Sequence, residues 1–471
     1  MKRKYKDLIK NVLLFTLSSF IPKVISFFLV PLYTSYLTTT EYGISDLIGS
    51  TVALMFPVLT LDIRDAVLRF TLDKDYSRKD CLNISMRIVF YDFLFLTVIT
   101  VLQFCFNFIK INNIYILFFD IMVIVNSLYD IFNAYCKGTD RVKTIVVASC
   151  LNSLTTLTLN ILFIVVLKMG LYGFLLANTF GFLIADLIFI FNTKLYKEFS
   201  FNYSKKQQKD MIKYSFPVIF SVIAWWINNS SDRYIITLLI GVSASGIYAV
   251  SSKIPTILTT FQNIFVQAWS ISAIKEFDKD DTDGFIGNIY TLMSCMLCVI
   301  CSLIIIFNLL ISKILFKGDF FFAWKYVPFL CLAVSVDGLA LLIGNLFYAV
   351  KDTRARTLTT IYGAVTNTIL NFVLIPKLGA YGAAVATFIG YFIGFVTSRV
   401  IVKRYINMKT NFKVNDFCIF ILFLQALLAY FGNKYIILQV LILLTILFLY
   451  RKSIIILSRK FISLIKNKRV K

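Results

Sequence analysis

Residues 14–46 read LFTLSSFIPKVISFFLVPLYTSYLTTTEYGISD. The run is apolar and long enough to cross a bilayer, is interrupted by Pro22 and Pro31, and carries Lys23 in mid-span. A lysine at that depth costs about 2.5–3.5 kcal/mol on insertion scales, so its presence points to an anionic group that needs it. About 200 residues further on, a segment of the same shape opens at Phe216-Pro217, holds Asp232-Arg233 and closes at Ala244-Ser245-Gly246-Ile247-Tyr248. The chain therefore reads as two related halves. Their opening helices are expected to face each other across a cavity suited to an anionic ligand.

The composition agrees with a chain dissolved in lipid. Hydrophobic residues make up 59% of the 471 residues and charged ones 15%, which excludes a soluble globular protein. The fold class is all-α integral membrane, with about 14 transmembrane helices. They are expected near 10–37, 43–62, 82–107, 112–136, 144–167, 171–192, 212–240, 246–270, 284–311, 326–350, 357–375, 380–401, 416–431 and 435–450. The first run, behind Met1-Lys2-Arg3-Lys4, is too long for a signal peptide and lacks a small-residue cleavage site, so it reads as a retained span. Histidine is absent. That excludes a Ser-His-Asp or Cys-His nucleophile, a histidine proton shuttle and a His-ligated metal. Cys295, Cys298 and Cys301 have a C-x-x-C-x-x-C spacing, but Met, Leu, Val and Ile lie between them and no fourth cysteine follows, so a buried apolar helix is the simpler reading. No cofactor and no metal are expected.

The net charge of +23 reports topology, because the basic residues lie between the apolar runs. With both termini in the cytoplasm, about six lysines fall outside (Lys110, Lys168, Lys313, Lys317, Lys377, Lys434) and the great majority of Lys and Arg fall inside. A bacterial cytoplasmic membrane is the expected location. Expected divisions are an N-terminal six-helix bundle (1–192), a cytoplasmic linker (193–211), a second six-helix bundle (212–410), two extra spans (411–450) and a basic tail (451–471). The tail reads either as an amphipathic helix on the inner leaflet or as a disordered basic segment. Within the bundles Leu159-Asn160-Ile161 and Gly170-Leu171-Tyr172-Gly173 match Leu370-Asn371-Phe372 and Gly379-Ala380-Tyr381-Gly382. Six spans separate the copies, so the repeat is parallel, and such folds alternate access by rocking one half against the other.

Polar residues gather on particular helix faces. Ser19, Lys23 and Ser26 share one face of the first span, and Trp226, Asn229, Ser230 and Arg233 share one face of the seventh. The eighth carries a stripe of Ser252, Thr256, Thr259, Asn263, Gln267 and Ser270 with Lys253 at its border. Such a stripe cannot face lipid, where an unpaired polar group costs several kcal/mol. Lys23, Arg233 and Lys253 are candidate ligands for an anion, and Ser19, Ser26, Asn229, Thr256, Asn263 and Gln267 for a polar cavity lining. The alternatives are snorkelling for the cations and interhelical packing for the rest. Asn152, Thr156 and Asn160, with Thr360, Asn367 and Asn371, form uncharged stripes open to the same two readings. Arg64 and Arg69 are candidates for a basic cytoplasmic mouth. Asp92, Asp120, Asp130, Asp186, Asp232 and Asp337 are candidates for ion coupling, Asp337 being the most deeply placed.

The order Tyr36-Leu37-Thr38-Thr39-Thr40-Glu41-Tyr42-Gly43-Ile44, then Arg69-Phe70, then the Asn-containing eleventh span before Leu378-Gly379-Ala380-Tyr381-Gly382 resembles the polysaccharide repeat-unit flippases of the Wzx type. These belong to the multidrug, oligosaccharidyl-lipid and polysaccharide exporter superfamily. The resemblance implies a MATE-like pair of bundles with a cationic cavity. It also implies an undecaprenyl-diphosphate-linked oligosaccharide as substrate, moved from inner to outer leaflet for capsule or O-antigen synthesis. A polymerase and glycosyltransferases are implied partners, and nucleic acid is not. By similarity to the lipid II flippases, Lys23 and Lys253 stand where relatives place arginines for the diphosphate. Competing expectations are a lipid II flippase, a cation-coupled multidrug exporter of the same fold, and a membrane enzyme that polymerises glycans. The last needs a sizeable outer loop, and none is evident.

Overall fold

The structure is a computed structural model that describes residues 20–108, 111–200, 202–350, 352–452 and 455. Ser19 and nearly all of the basic tail lie outside the described residues. The chain forms helices α1 (Phe20–Tyr36), α2 (Thr39–Leu59), α3 (Ile63–Leu72), α4 (Arg78–Phe106), α5 (Asn113–Gly138), α6 (Val142–Asn160, continued by a π-helical turn over Ile161–Val166), α7 (Gly170–Thr193) and α8 (Lys205–Leu239). There follow α9 (Val242–Ser251), α10 (Pro255–Lys275), α11 (Phe285–Leu315), α12 (Val327–Ala349), α13 (Thr353–Leu378), α14 (Ala380–Val402), α15 (Phe412–Ala429) and α16 (Ile436–Leu449). Among the described residues, 12 helices are long and apolar enough to span a membrane. Of the expected first span, residues 20–36 are described and form α1, and the expected eighth is broken into α9 and α10 at Ser252–Ile254, directly before Pro255. A proline lacks the N–H that would continue α9, so the break falls where the ring must sit at the first turn of a new helix.

Contacts divide the chain into two units, 1–230 and 231–471, with the division inside α8. In unit 1, the start of α8 packs with the start of α4: Gln207 Nε2 donates to the Ser77 carbonyl at 2.9 Å, and Tyr76 Oη to Asp210 at 3.2 Å. At this same end Ile63, Val67, Leu82, Phe132, Tyr135 and Phe189 form a closed core. Mid-membrane, where lipid is as apolar as leucine, close approach and hydrogen bonds must hold the helices instead.

Two sequence motifs meet in unit 1. Thr38 Oγ1 accepts from Glu41 N at 3.2 Å while Glu41 Oε2 accepts from Thr38 N at 2.8 Å, a reciprocal cap that starts α2. The other oxygen, Oε1, accepts from Leu171 N at 3.3 Å, in the turn that opens α7. Gly170 in that turn has φ +54°, and a Cβ there would lie 2.6 Å from Glu41 Oε1. So the Thr-Thr-Thr-Glu and Gly-Leu-Tyr-Gly motifs are one clasp.

The same Gly-x-x-Gly spacing works in both units. The second glycine lets the next helix lie on the backbone of the one before: a Cβ on Gly173 would come 2.9 Å from Phe163 Cβ, and on Gly382 2.5 Å from the Leu374 carbonyl oxygen. In unit 2, α12 is the central helix, with 83% of its apolar window covered. Trp269 of α10 donates to the Leu342 carbonyl at 3.0 Å, and Tyr450 ties Ser294 (2.8 Å) to Asn415 (2.9 Å). Cys295, Cys298 and Cys301 are buried free thiols on α11, as an apolar helix requires.

Gly382→Ala should destabilise unit 2 by about 1–3 kcal/mol, because its obstacle is backbone and cannot rotate away. Gly49→Ala, with open space at its Cβ, should cost nothing. Thermal midpoints of the purified variants in detergent check this. Equal midpoints for the two would show that the helix contact at Gly382 is looser than described.

Candidate functional site

Lys23 and Ser26 are both exposed on α1, with no ion pair for Lys23 among the described residues. One turn of helix separates them, so they present a polar edge uncovered by unit 1. Their expected companion Ser19 lies outside the described residues. Asn229, on α8, is also exposed and turns its amide back on the Trp225 carbonyl at 2.8 Å. Trp226 does something else: its indole N–H donates to the Ser50 carbonyl at 2.7 Å, anchoring α8 to α2.

In unit 2, Arg233 and Lys253 are half-buried. Lys253 sits in the three-residue break between α9 and α10, its own carbonyl accepting from Thr256 Oγ1 at the start of α10. Thr256, Asn263 and Gln267 are exposed along α10, and Ser252, Thr259 and Ser270 are partly so. The stripe read from the sequence is therefore a continuous uncovered polar face of unit 2. Gln262, one step around the helix, is buried instead and donates to the Val334 carbonyl of α12, fixing the rotation that keeps the stripe outward.

Unit 2 also holds a buried polar centre. Asp232 is 5% exposed, and its carboxylate accepts from Tyr248 Oη at 2.9 Å, from Thr387 Oγ1 at 2.6 Å and from the Asn371 amide. Asn371 also reaches Asn367 Oδ1 at 2.5 Å, while its own side-chain oxygen is buried without a partner. Three helices, α9, α13 and α14, thus deliver donors to the one carboxylate carried by α8. The neighbouring Arg233, a 100° step around the helix, is half-buried and within electrostatic reach of Asp232. Tyr248 entered the sequence reading only as the close of the second opening segment, and neither it nor Thr387 was a candidate site residue. Each is an ordinary residue of its helix, and the signal lies only in the distance in sequence to Asp232.

Asp337 is partly exposed on α12 and has no hydrogen bond among the described residues. The Arg356 guanidinium packs over Gly344, seven residues along the same helix. The uncharged stripe on α6 is packing: Asn152 and Thr156 fill the space a Cβ on Gly181 of α7 would take, and Asn160 is fully buried. On α13, Asn367 and Asn371 belong to the Asp232 centre, while Thr360 is exposed.

The two arginines of the expected mouth differ. Arg69 is 55% exposed and pairs with Asp73 one turn on, at 3.3 Å. Arg64 is held: Nη1 lies 2.9 Å from Asp130, and Nε lies 3.0 Å from Asp62 and 3.8 Å from Asp65. Asp62 stands in the turn beyond the end of α2, at φ +47°. Burial pushes its carboxyl up to about 6, against the pull of Arg64. A carboxyl raised in the folded state costs stability as pH climbs from about 4 through about 6, and costs nothing below that range.

Residues 8–274 match the polysaccharide biosynthesis protein family. A curated relative from Haloferax volcanii, described as a probable low-salt glycan biosynthesis flippase, Agl15, is 23% identical over 220 residues, 46% of each chain. The match therefore spans about half the length of that relative. Among solved structures, the lipid II flippase MurJ in an inward closed conformation superposes with a TM-score of 0.66 at 16% identity, covering 96% of this chain and all of that one. An inward-facing multidrug resistance MATE transporter gives 0.59 at 13% identity, covering 81% and 98%. At these identities the structures show a shared MATE/MurJ-like fold. With residues 8–274 of 471 matched, the chain belongs to the polysaccharide biosynthesis protein family.

Proposed function

We propose that the chain is a flippase for a lipid-linked glycan, moving a polyprenyl-diphosphate oligosaccharide, undecaprenyl in a bacterium, from the inner to the outer leaflet by alternating access. The observation that carries this reading is the placing of cations on uncovered or half-covered faces of apolar helices: Lys23 in unit 1, Arg233 and Lys253 in unit 2. A diphosphate is the ligand that repays their insertion cost, since charge-assisted bonds to phosphate are about twice as strong as neutral ones. Thr256, Asn263 and Gln267, with Asn229 and Ser26, supply the hydroxyls and amides a hydrated glycan needs. Membership of a polysaccharide biosynthesis family and the glycan and lipid II flippases among its relatives support the same substrate class.

Asp232 is the candidate for coupling, in preference to Asp337. Three donors converge on its carboxylate, and the partnerless oxygen of Asn371 adjoins it, so a proton or small cation would complete the set. A second reading, a cation-coupled drug exporter, draws on the MATE likeness and this same acidic centre. It leaves Lys23 and Lys253 without a purpose.

Lys23→Ala and Arg233→Ala should each lower export of surface polysaccharide at least tenfold while membrane insertion stays normal, since one lost phosphate contact of about 1.4 kcal/mol already amounts to a factor of ten. Wild-type polymer levels in both would refute the assignment, and drug sensitivity of a deletion strain with normal polymer would favour the exporter. Asp232→Asn should keep lipid-linked substrate binding yet lose net translocation. Normal translocation in that variant would remove Asp232 from coupling.

A further inference from the structure

Unit 1 contains acidic groups that the flippase reading does not use. Asp62 stands between α2 and α3, Asp65 on α3, Asp130 on α5 and Asp186 on α7, and the nearest cation is Arg64. Arg64 is stretched across three of them at 2.9–3.8 Å, with the Phe56 ring beneath it at 5.3 Å. Asp62 is fully buried, and although Arg64 Nε is 3.0 Å away, neither carboxylate oxygen receives an aligned hydrogen bond. Asp186 is 3% exposed, and both its oxygens lack a donor among the described residues. It lies within electrostatic reach of Asp130.

Among the other titratable groups of the surrounding helices, the exposed Lys137 lends Asp130 an attraction, and the rest are committed elsewhere. On α5, Tyr129 places its hydroxyl 3.1 Å from Ser149 of α6, and Lys137 is exposed at the helix end. Arg141, capping α6, is committed to Glu198 at 3.4 Å and to the Thr193 carbonyl. On α4, Cys81 receives the Gln207 amide. The start of α8 offers Asp210, paired with Tyr76.

Three carboxylates thus share one guanidinium, and a fourth, Asp186, is not reached by it. Adding a proton at pH 7 to a carboxyl of ordinary affinity costs about 4 kcal/mol, whereas leaving it ionised, buried and unpaired costs several kcal/mol at least and far more in a dry interior. Protonation is the cheaper state for part of the cluster. We propose that unit 1 binds protons at the Asp62–Asp130–Asp186 cluster, and that Arg64 is the fixed cation which tunes their affinity. The site is separate from the Asp232 centre, and it does not depend on which substrate the chain carries.

The test is pH-difference infrared spectroscopy of the purified full-length protein, following the protonated-carboxyl C=O band. Asp186→Asn, isosteric and neutral, should fold with an unchanged thermal midpoint near neutral pH and remove part of the titrating band. Asp120→Asn, a carboxylate bonded to Thr100 outside the cluster, should leave the cluster's titration in place. Arg64→Gln should move the remaining titration upward by about one pH unit or more, since a neighbouring arginine lowers a carboxyl by about 1–3 units. Superimposable difference spectra for wild type and Asp186→Asn, or a titration that Arg64→Gln leaves in place or moves downward, would overturn the proposal.

Discussion

A polar group inside hydrocarbon has no water to fall back on, and every feature of this chain follows from how that demand is met. Backbone groups are satisfied within helices, so the spans are helical throughout the described residues. Side chains meet the same demand in two ways. Some are paired and buried, as Asp232 is by Tyr248, Thr387 and Asn371. Others stand on uncovered faces, as Lys23, Thr256, Asn263 and Gln267 do, and these need a ligand or a wet surface. The division separates the buried Asp232 centre from the exposed polar groups of α1 and α10.

Much of this was legible in the sequence because it is decided locally. A long apolar run becomes a span wherever it lies, and a proline such as Pro255 marks a break whatever packs around it. The recurring Gly-x-x-Gly spacing was also legible, since Gly170/Gly173 and Gly379/Gly382 answer a steric need set by immediate neighbours. The polar stripe on α10 needed only helical periodicity, and the structure leaves it uncovered as read.

The remainder depends on helix rotation and distant pairing. Asp232 and Asn371 are 139 residues apart, and Asp232 and Thr387 are 155 apart, so no spacing rule connects them. Asp337 looked deeper because position along a span says nothing about which way a side chain turns. The same applies to Arg64. Its sequence context reads as a basic mouth, but carboxylates from the α2–α3 turn, α3 and α5 hold it. Glu41 reaches Leu171 by a fold contact 130 residues long, which made two separate motifs of what is one clasp.

The central claim is that lysine and arginine side chains on these apolar helices exist to hold a lipid diphosphate. Its most direct test is binding of a polyprenyl-diphosphate lipid to the purified protein, measured by native mass spectrometry, with the matching polyprenol as control. The account predicts that the diphosphate lipid binds, the alcohol does not, and the Lys23→Gln/Arg233→Gln double variant loses the distinction. Equal retention of both lipids by wild type, or undiminished diphosphate binding by the double variant, would contradict it.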